Sequence, residues 1–377
     1  MVIVLGLLLA VQDPTAVDRA VLAGISAGAF PGAVVVVGSR DGVLLGRGYG
    51  HFTWDTASAV PDPEWTLFDL ASLTKVVATT TSIMLLADRG QVALQQPVQR
   101  YLPEFQGDGK DRVTVRQLLE HRSGLRAFLR LDTLARDAAE AKQIVLAEPL
   151  SYPPGSRVVY SDLNAMLLGW IVEVVAETTL DAFAAREVLA PLGMTRARFG
   201  PTRRQRDSIM PVGRWRGHPI AGEVHDQNAA RLGGVSGHAG LYATGMEVGR
   251  LAQFMLRRGV AADGTTLVRP GVVDAFVRRG PGNRAIGWEM RDTTSTDNSG
   301  QWMSAATYGH TGYTGTSIWI DPDRDLYVVL LTNRVFAPRT GRSISELKRV
   351  RGAVADAAVL LVEACRPAGT CPRADPP

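Results

Sequence analysis

The chain has 377 residues, 46% of them hydrophobic and 21% charged, enough apolar material for a large core and for more than one lobe. Its formal net charge of +4 is small for that length. The basic clusters Arg203-Arg204-Gln205-Arg206 and Arg349-Val350-Arg351 read as solvated faces, so no nucleic-acid partner is expected.

The opening run Met1–Val11 is too short to span a bilayer, and no stable transmembrane anchor is expected. With polar Gln12-Asp13-Pro14 behind it, residues 1–12 read as a signal segment that lacks the usual preceding positive residues; an ordinary N-terminal strand is the alternative. Residues 31–38 and 43–50 flank Ser39-Arg40-Asp41-Gly42, the pattern of a β-hairpin. Next, Thr66-Leu67-Phe68-Asp69-Leu70-Ala71-Ser72-Leu73-Thr74-Lys75 leads into an apolar stretch that predicts a buried helix ending near Gly90. A Ser one turn ahead of a Lys projects both side chains to one side of a helix. A desolvated Lys can lose its proton and activate the Ser hydroxyl as a nucleophile. Alone the pattern is loose, and a capping Ser beside a surface Lys is the plain alternative.

Further along, Pro153-Pro154-Gly155 opens a short β-branched run to Tyr160-Ser161-Asp162, followed by an apolar helix over 165–176. A Gly-rich loop covers 233–245. Tyr308-Gly309-His310-Thr311-Gly312-Tyr313-Thr314-Gly315 precedes a stretch that alternates like a strand. Residues 315–321 and 325–333 form a second hairpin pattern, and 349–364 reads as a closing helix. Cys365 and Cys371 are close enough in sequence to bridge a small loop in an oxidising compartment, with two free thiols the alternative. No repeat, low-complexity tract or interdomain linker stands out.

In order, Ser72-Leu73-Thr74-Lys75, Tyr160-Ser161-Asp162 and His310-Thr311-Gly312 resemble the motifs of the penicillin-recognising serine hydrolases. That family includes class C β-lactamases, low-molecular-weight D-alanyl-D-alanine carboxypeptidases and β-lactamase-like esterases. The resemblance runs from Val17 to Val362 and takes in residues 114–125, 191–195 and 237–241. It implies an α/β (α+β) fold, an antiparallel sheet flanked by helices with an inserted, mostly helical lobe. The implied layout is a single catalytic domain over 13–366, with an α/β lobe from 13–85 and 235–366, a helical lobe over 86–234, and a tail at 367–377. The site is expected in the cleft between the lobes.

The resemblance also implies roles. Ser72 is the nucleophile, Lys75 accepts its proton, and Tyr160 relays a proton to the leaving group; either Lys75 or Tyr160 serves as the acylation base. Backbone N–H groups of Ser72 and Tyr313 form the oxyanion hole, and Asp162, His310, Thr311, Gly312 and Tyr313 contact the substrate. Two departures from the β-lactamase pattern count against a dedicated β-lactamase. Asp162 stands where class C enzymes carry Asn; it accepts hydrogen bonds only, and is expected to pair with Lys75 or a substrate amine, raising the Lys75 pKa and shifting weight to Tyr160. His310 stands where most β-lactamases carry Lys, so fixed positive charge there is reduced.

Residues 222–229 and 233–241 resemble β-lactamase-related proteins that trim muropeptides, some of them exo-acting N-acetylmuramoyl-L-alanine amidases. His225, Asp226 and His238 are conceivable metal ligands, but a structural loop under the cleft is the stronger reading, and neither metal nor cofactor is expected. His51, His121 and His218 read as surface or core residues. The expected function is a serine hydrolase that forms an acyl-enzyme on Ser72 and acts on cell-wall peptides or related amides. Its substrate is a small molecule or a peptidoglycan-derived one, met in the periplasm or outside the cell, with the cytoplasm the alternative. The alternatives are a promiscuous carboxylesterase and a penicillin-binding protein that does not turn over.

Overall fold

The computed structural model describes residues 15–365. The signal-like segment 1–12, the tail 367–377 and Cys371 lie outside the described residues. Strands β1 (Gly32–Ser39) and β2 (Gly42–Gly50) form the first hairpin; β3 (Phe68–Asp69), β4 (Arg198–Phe199), β5 (Gly213–Trp215), β6 (His218–Ile220) and β7 (Leu241–Ala243) are short. Strands β8 (Glu289–Met290), β9 (Tyr308–Thr311), β10 (Ser317–Asp321) and β11 (Leu326–Thr332) complete the set. The main sheet is antiparallel, in the order β2-β1-β11-β10-β9-β8. A second sheet, β3-β7-β4, carries the segment that leads into Ser72.

The central strands read as near-continuous apolar runs because both sheet faces are covered. Side chains alternate across a strand. In β1, Val34 and Val36 enter the larger core with the central helices, while Ala33, Val35 and Val37 enter a second core under the terminal helices. In β11, Tyr327, Val329 and Leu331 face the first core, and Leu326, Val328 and Leu330 the second. The second core is closed by the helices Ala16–Ser26 and Ser343–Cys365. The first of these starts at a capping box in which Thr15 and Asp18 satisfy each other's backbone N–H.

Three boundaries differ from the sequence reading. The helix expected over 165–176 starts at Asp162, which puts that carboxylate in its first turn. The closing helix begins at Ser343, well before 349. The Gly-rich loop ends before Leu241, where β7 pairs with β3 and β4, and Thr244 and Glu247 then form a capping box that starts the helix Gly245–Leu256. Arg349-Val350-Arg351 is not a solvated face. Leu347, Val350, Arg351, Val354 and Ala358 share the inward side of the closing helix and are buried, while Arg349 points outward.

Candidate active site

β3 delivers the chain to a sharp turn before Ser72. Ala71 has φ 46°, a left-handed conformation costly for a residue with a Cβ. Asp69 holds it there, its Oδ1 accepting the Ala71 N–H at 2.9 Å while Oδ2 accepts the His225 N–H at 2.8 Å. Burial pushes the Asp69 carboxyl up to about 6, against the pull of those two bonds. Thr314 Oγ1 donates to Asp69 O at 2.7 Å and Thr316 Oγ1 to Leu70 O at 2.9 Å, so the loop after β9 is stapled to the same turn. A 3₁₀ turn, Ala71–Leu73, then passes into a π-helical turn, Lys75–Thr80, and the α-helix Thr81–Asp88. Such π-turns recur at functional sites.

This turn brings Ser72 and Lys75 together, with Lys75 Nζ donating to Ser72 Oγ at 3.0 Å. The ammonium also donates to His238 O at 3.1 Å and lies 2.7 Å from Asp162 Oδ1. Burial alone lowers the Lys75 pKa, but Asp162 and Tyr160 outweigh it and push it up to about 12. Lys75 is therefore a cation at neutral pH, and it donates to Ser72 rather than accepting from it.

Tyr160 lies with its ring centroid 5.0 Å from Lys75 Nζ. Backbone bonds pin its segment: Val159 N–H to His121 O at 2.9 Å and Asp162 N–H to Ala127 O at 3.0 Å. Ser161 N–H donates to His121 Nδ1 at 3.1 Å. The Tyr160 ring packs 4.6 Å from the ring of His121 and 5.8 Å from that of His310, with the Arg284 guanidinium 5.4 Å away. His121 is buried and has φ 56°. Burial, then Arg284, Lys75 and His310, hold its pKa well below the usual histidine value, so it stays neutral and accepts from Ser161. The stretch 114–125 thus supplies the wall behind Tyr160.

His310 sits at the end of β9 with Nδ1 2.8 Å from Thr311 O, which places the ring proton on Nδ1. Burial, then Lys75 and Arg284, push its pKa down to about 3, so it carries no charge at neutral pH. Gly312 lets the following loop lie on the nucleophile turn: a Cβ there would fall 2.1 Å from Thr316 Oγ1 and 2.6 Å from Leu70 O. Arg351 Nη2 donates to Gly312 O at 3.0 Å and Thr316 O at 2.7 Å. Arg334 Nε donates to Tyr313 O at 3.1 Å. Burial, then Arg334, push the Arg351 pKa down to about 9.

Ser72, Tyr160, Asp162 and the stretch 310–313 line one cleft of about 740 Å³, a size suited to small ligands, with Lys75 buried beside it. Arg284, Arg334, Arg351 and Asp226 also line it, and no motif pointed to the arginines. The inward phase of Val350-Arg351 among apolar neighbours is the signal that would have found Arg351. His225, Asp226 and His238 do not converge on a metal site: Asp226 pairs with His238, whereas the His225 ring packs 5.7 Å from that of Tyr313. Among the described residues no group of three or more His, Cys, Asp or Glu is placed to hold a metal.

The β-lactamase family model matches residues 17–352. The N-acetylmuramyl-L-alanine amidase of Bacillus subtilis (strain 168) is 32% identical over 363 residues, covering 85% of this chain and 81% of that protein. Among solved structures, a penicillin-binding protein homologue from Caulobacter crescentus superposes with a TM-score of 0.71 at 22% identity, covering 91% of this chain and 96% of that one. EstCE1, described as a hydrolase with promiscuous acyltransferase activity, gives 0.71 at 21% identity over 90% and 97%.

Proposed function

The chain belongs to the β-lactamase family and is a serine hydrolase, and we propose that it cleaves amide bonds of muramyl peptides through an acyl-enzyme on Ser72. The observation that carries this reading is the 3.0 Å bond from the Lys75 ammonium to Ser72 Oγ. Because the cation donates, the Ser72 proton passes to the Tyr160 oxygen, which takes it as the phenolate that the same ammonium stabilises. Ser72 Oγ bonds to the carbonyl carbon, and the oxyanion faces the backbone N–H groups of Ser72 and Tyr313. The C–N bond then breaks as Tyr160 returns the proton to the departing amine. Water adds to the ester carbonyl by the reverse relay, releasing the acid and restoring Ser72. Asp162 fixes Lys75, and His310, Thr311, Gly312 and Tyr313 form the substrate wall.

The muramyl amide is favoured by the relative named as an N-acetylmuramyl-L-alanine amidase. We take residues 13–366 as one catalytic domain and place it in the periplasm or outside the cell, where such a substrate lies. Among the described residues no single helix is long and apolar enough to cross a membrane. Carboxylesterase activity is the second reading, favoured by the exposed apolar side chains Phe128, Tyr313 and Ile344 at the cleft.

A panel of muropeptide, p-nitrophenyl butyrate and nitrocefin tests the assignment. The muropeptide should be turned over best and nitrocefin worst, with all activity lost in Ser72→Ala. A fluorescent penicillin should label wild type, persist on it, and leave Ser72→Ala dark. Rapid nitrocefin turnover, near the ~10 s⁻¹ common for enzymes on their own substrates, would make β-lactamase the better reading.

A further inference from the structure

The two stretches that resemble muropeptide-trimming proteins, 222–229 and 233–241, meet behind Lys75. Asp226 Oδ1 accepts the Ala229 N–H at 2.8 Å, capping the short helix Gln227–Arg231, and lies 2.9 Å from His238 Nε2. The other ring nitrogen of His238 lies 2.7 Å from Ser236 Oγ. His238 is 1% exposed, and with partners on both nitrogens its ring has no freedom to turn. The backbone carbonyl of this same residue accepts from Lys75 Nζ, and the neighbouring carbonyl of Gly237 accepts from Thr79 Oγ1 at 2.7 Å. The contacts run unbroken from Asp226 through His238 and Lys75 to Ser72.

Three acceptors surround the Lys75 ammonium. Ser72 is the reactant, Asp162 belongs to the cleft wall, and the His238 carbonyl is the one anchored in buried structure. Ser236, His238 and Asp226 have the connectivity of a serine triad, yet Ser236 is 5% exposed and stands apart from the cleft lining. That arrangement suits a brace rather than a second nucleophile.

We propose that Asp226 and His238 are positioning residues that aim the Lys75 ammonium at Ser72. The inference rests on Ser72 being the nucleophile. Without the Asp226 carboxylate, the buried His238 N–H loses its acceptor, the ring turns, and the carbonyl beneath Lys75 shifts with it. A brace of this kind governs the rate of acylation and not the ground-state grip on the acyl donor.

The test follows acylation by a fluorescent penicillin across a concentration series, with thermal melts alongside. In Asp226→Ala the limiting acylation rate should fall by about 30-fold, in line with the loss from a small misplacement of reacting groups, while the half-saturating concentration stays put. Asp226→Asn keeps an oxygen that accepts both bonds, so it should recover the rate to within about threefold. Ser236→Ala frees the other ring nitrogen without touching the cleft, and should slow acylation by about three- to tenfold, which serves if Asp226→Ala does not fold. An unchanged limiting rate in folded Asp226→Ala or in Ser236→Ala overturns the brace. So does an equal loss in Asp226→Asn, which would mean that the charge acts directly, or a loss confined to half-saturation, which would mean substrate contact. Label on Ser72→Ala, or none on wild type, would instead defeat the nucleophile assignment.

Discussion

Lys75 is surrounded by acceptors and held as a cation, which makes its work inseparable from that of Tyr160, the aromatic ring lying against it. Lys75→Ala and Tyr160→Phe should each cost about a thousandfold or more in kcat, and the double variant scarcely more, as in other proton-transfer units. Losses that add fully in log kcat would show two independent roles. Two further buried groups set opposite pH dependences of stability. His310 is pushed from 6.5 down to about 3, so between those values the unfolded chain binds the extra proton and stability falls as pH drops. Asp69 is raised from 3.8 to about 6, so there the native state keeps the proton and stability falls as pH rises through that window. Thermal melts from pH 7 to 4 should therefore show a shallower acid decline in His310→Gln and a steeper one in Asp69→Asn. Each effect is bounded by about 1.4 kcal/mol per pH unit for one proton. Slopes identical to wild type in both variants would refute the pair of assignments.

At the scale of elements, the site is two turns stapled together: the one before Ser72 and the one after His310. Gly312 makes that contact possible, since any Cβ there collides with Thr316 and the Leu70 carbonyl. Gly312→Ala should push the loop off the nucleophile turn, lowering kcat by at least about tenfold and stability by about 1–3 kcal/mol. Wild-type kcat in that variant would mean that the loop tolerates displacement. The residues whose chemistry is packed into short local motifs, Ser72 with Lys75, Tyr160 with Asp162, and His310 with Gly312, are legible in the sequence because each motif supplies its own spacing. So are both hairpins, from turn chemistry between apolar runs. Arg284, Arg334 and Arg351 are not, because they come from separate segments brought to the cleft only by tertiary packing. A run such as Arg349-Val350-Arg351 reads as solvated by charge alone; only the phase of the helix on the sheet shows that Arg351 turns inward to hold Gly312 and Thr316. His121 and Asp69 are hidden for a related reason. Their value lies in backbone groups they satisfy, which no side-chain pattern announces.

Across the whole molecule, β1 is flanked by its hairpin partner β2 on one side and by β11 on the other, with Ala33 opposite Thr332. The two terminal helices close the core on the same face. The middle of the sheet is thus made from the beginning and the end of the chain. A ribosome-bound or partly translocated chain can form its hairpin and its helices early, yet β1 keeps an unpaired apolar edge until residues near 332 are available. Loop closure over that distance makes folding slow and late, and the exposed edge is the segment on which such intermediates aggregate. A chain truncated before Leu326 should be recovered as aggregate or be digested rapidly by protease, even though it retains Ser72, Lys75, Tyr160 and His310; a soluble, protease-resistant product would contradict this. Complete synthesis, and not the presence of the motifs, is then the step at which a reactive serine first exists.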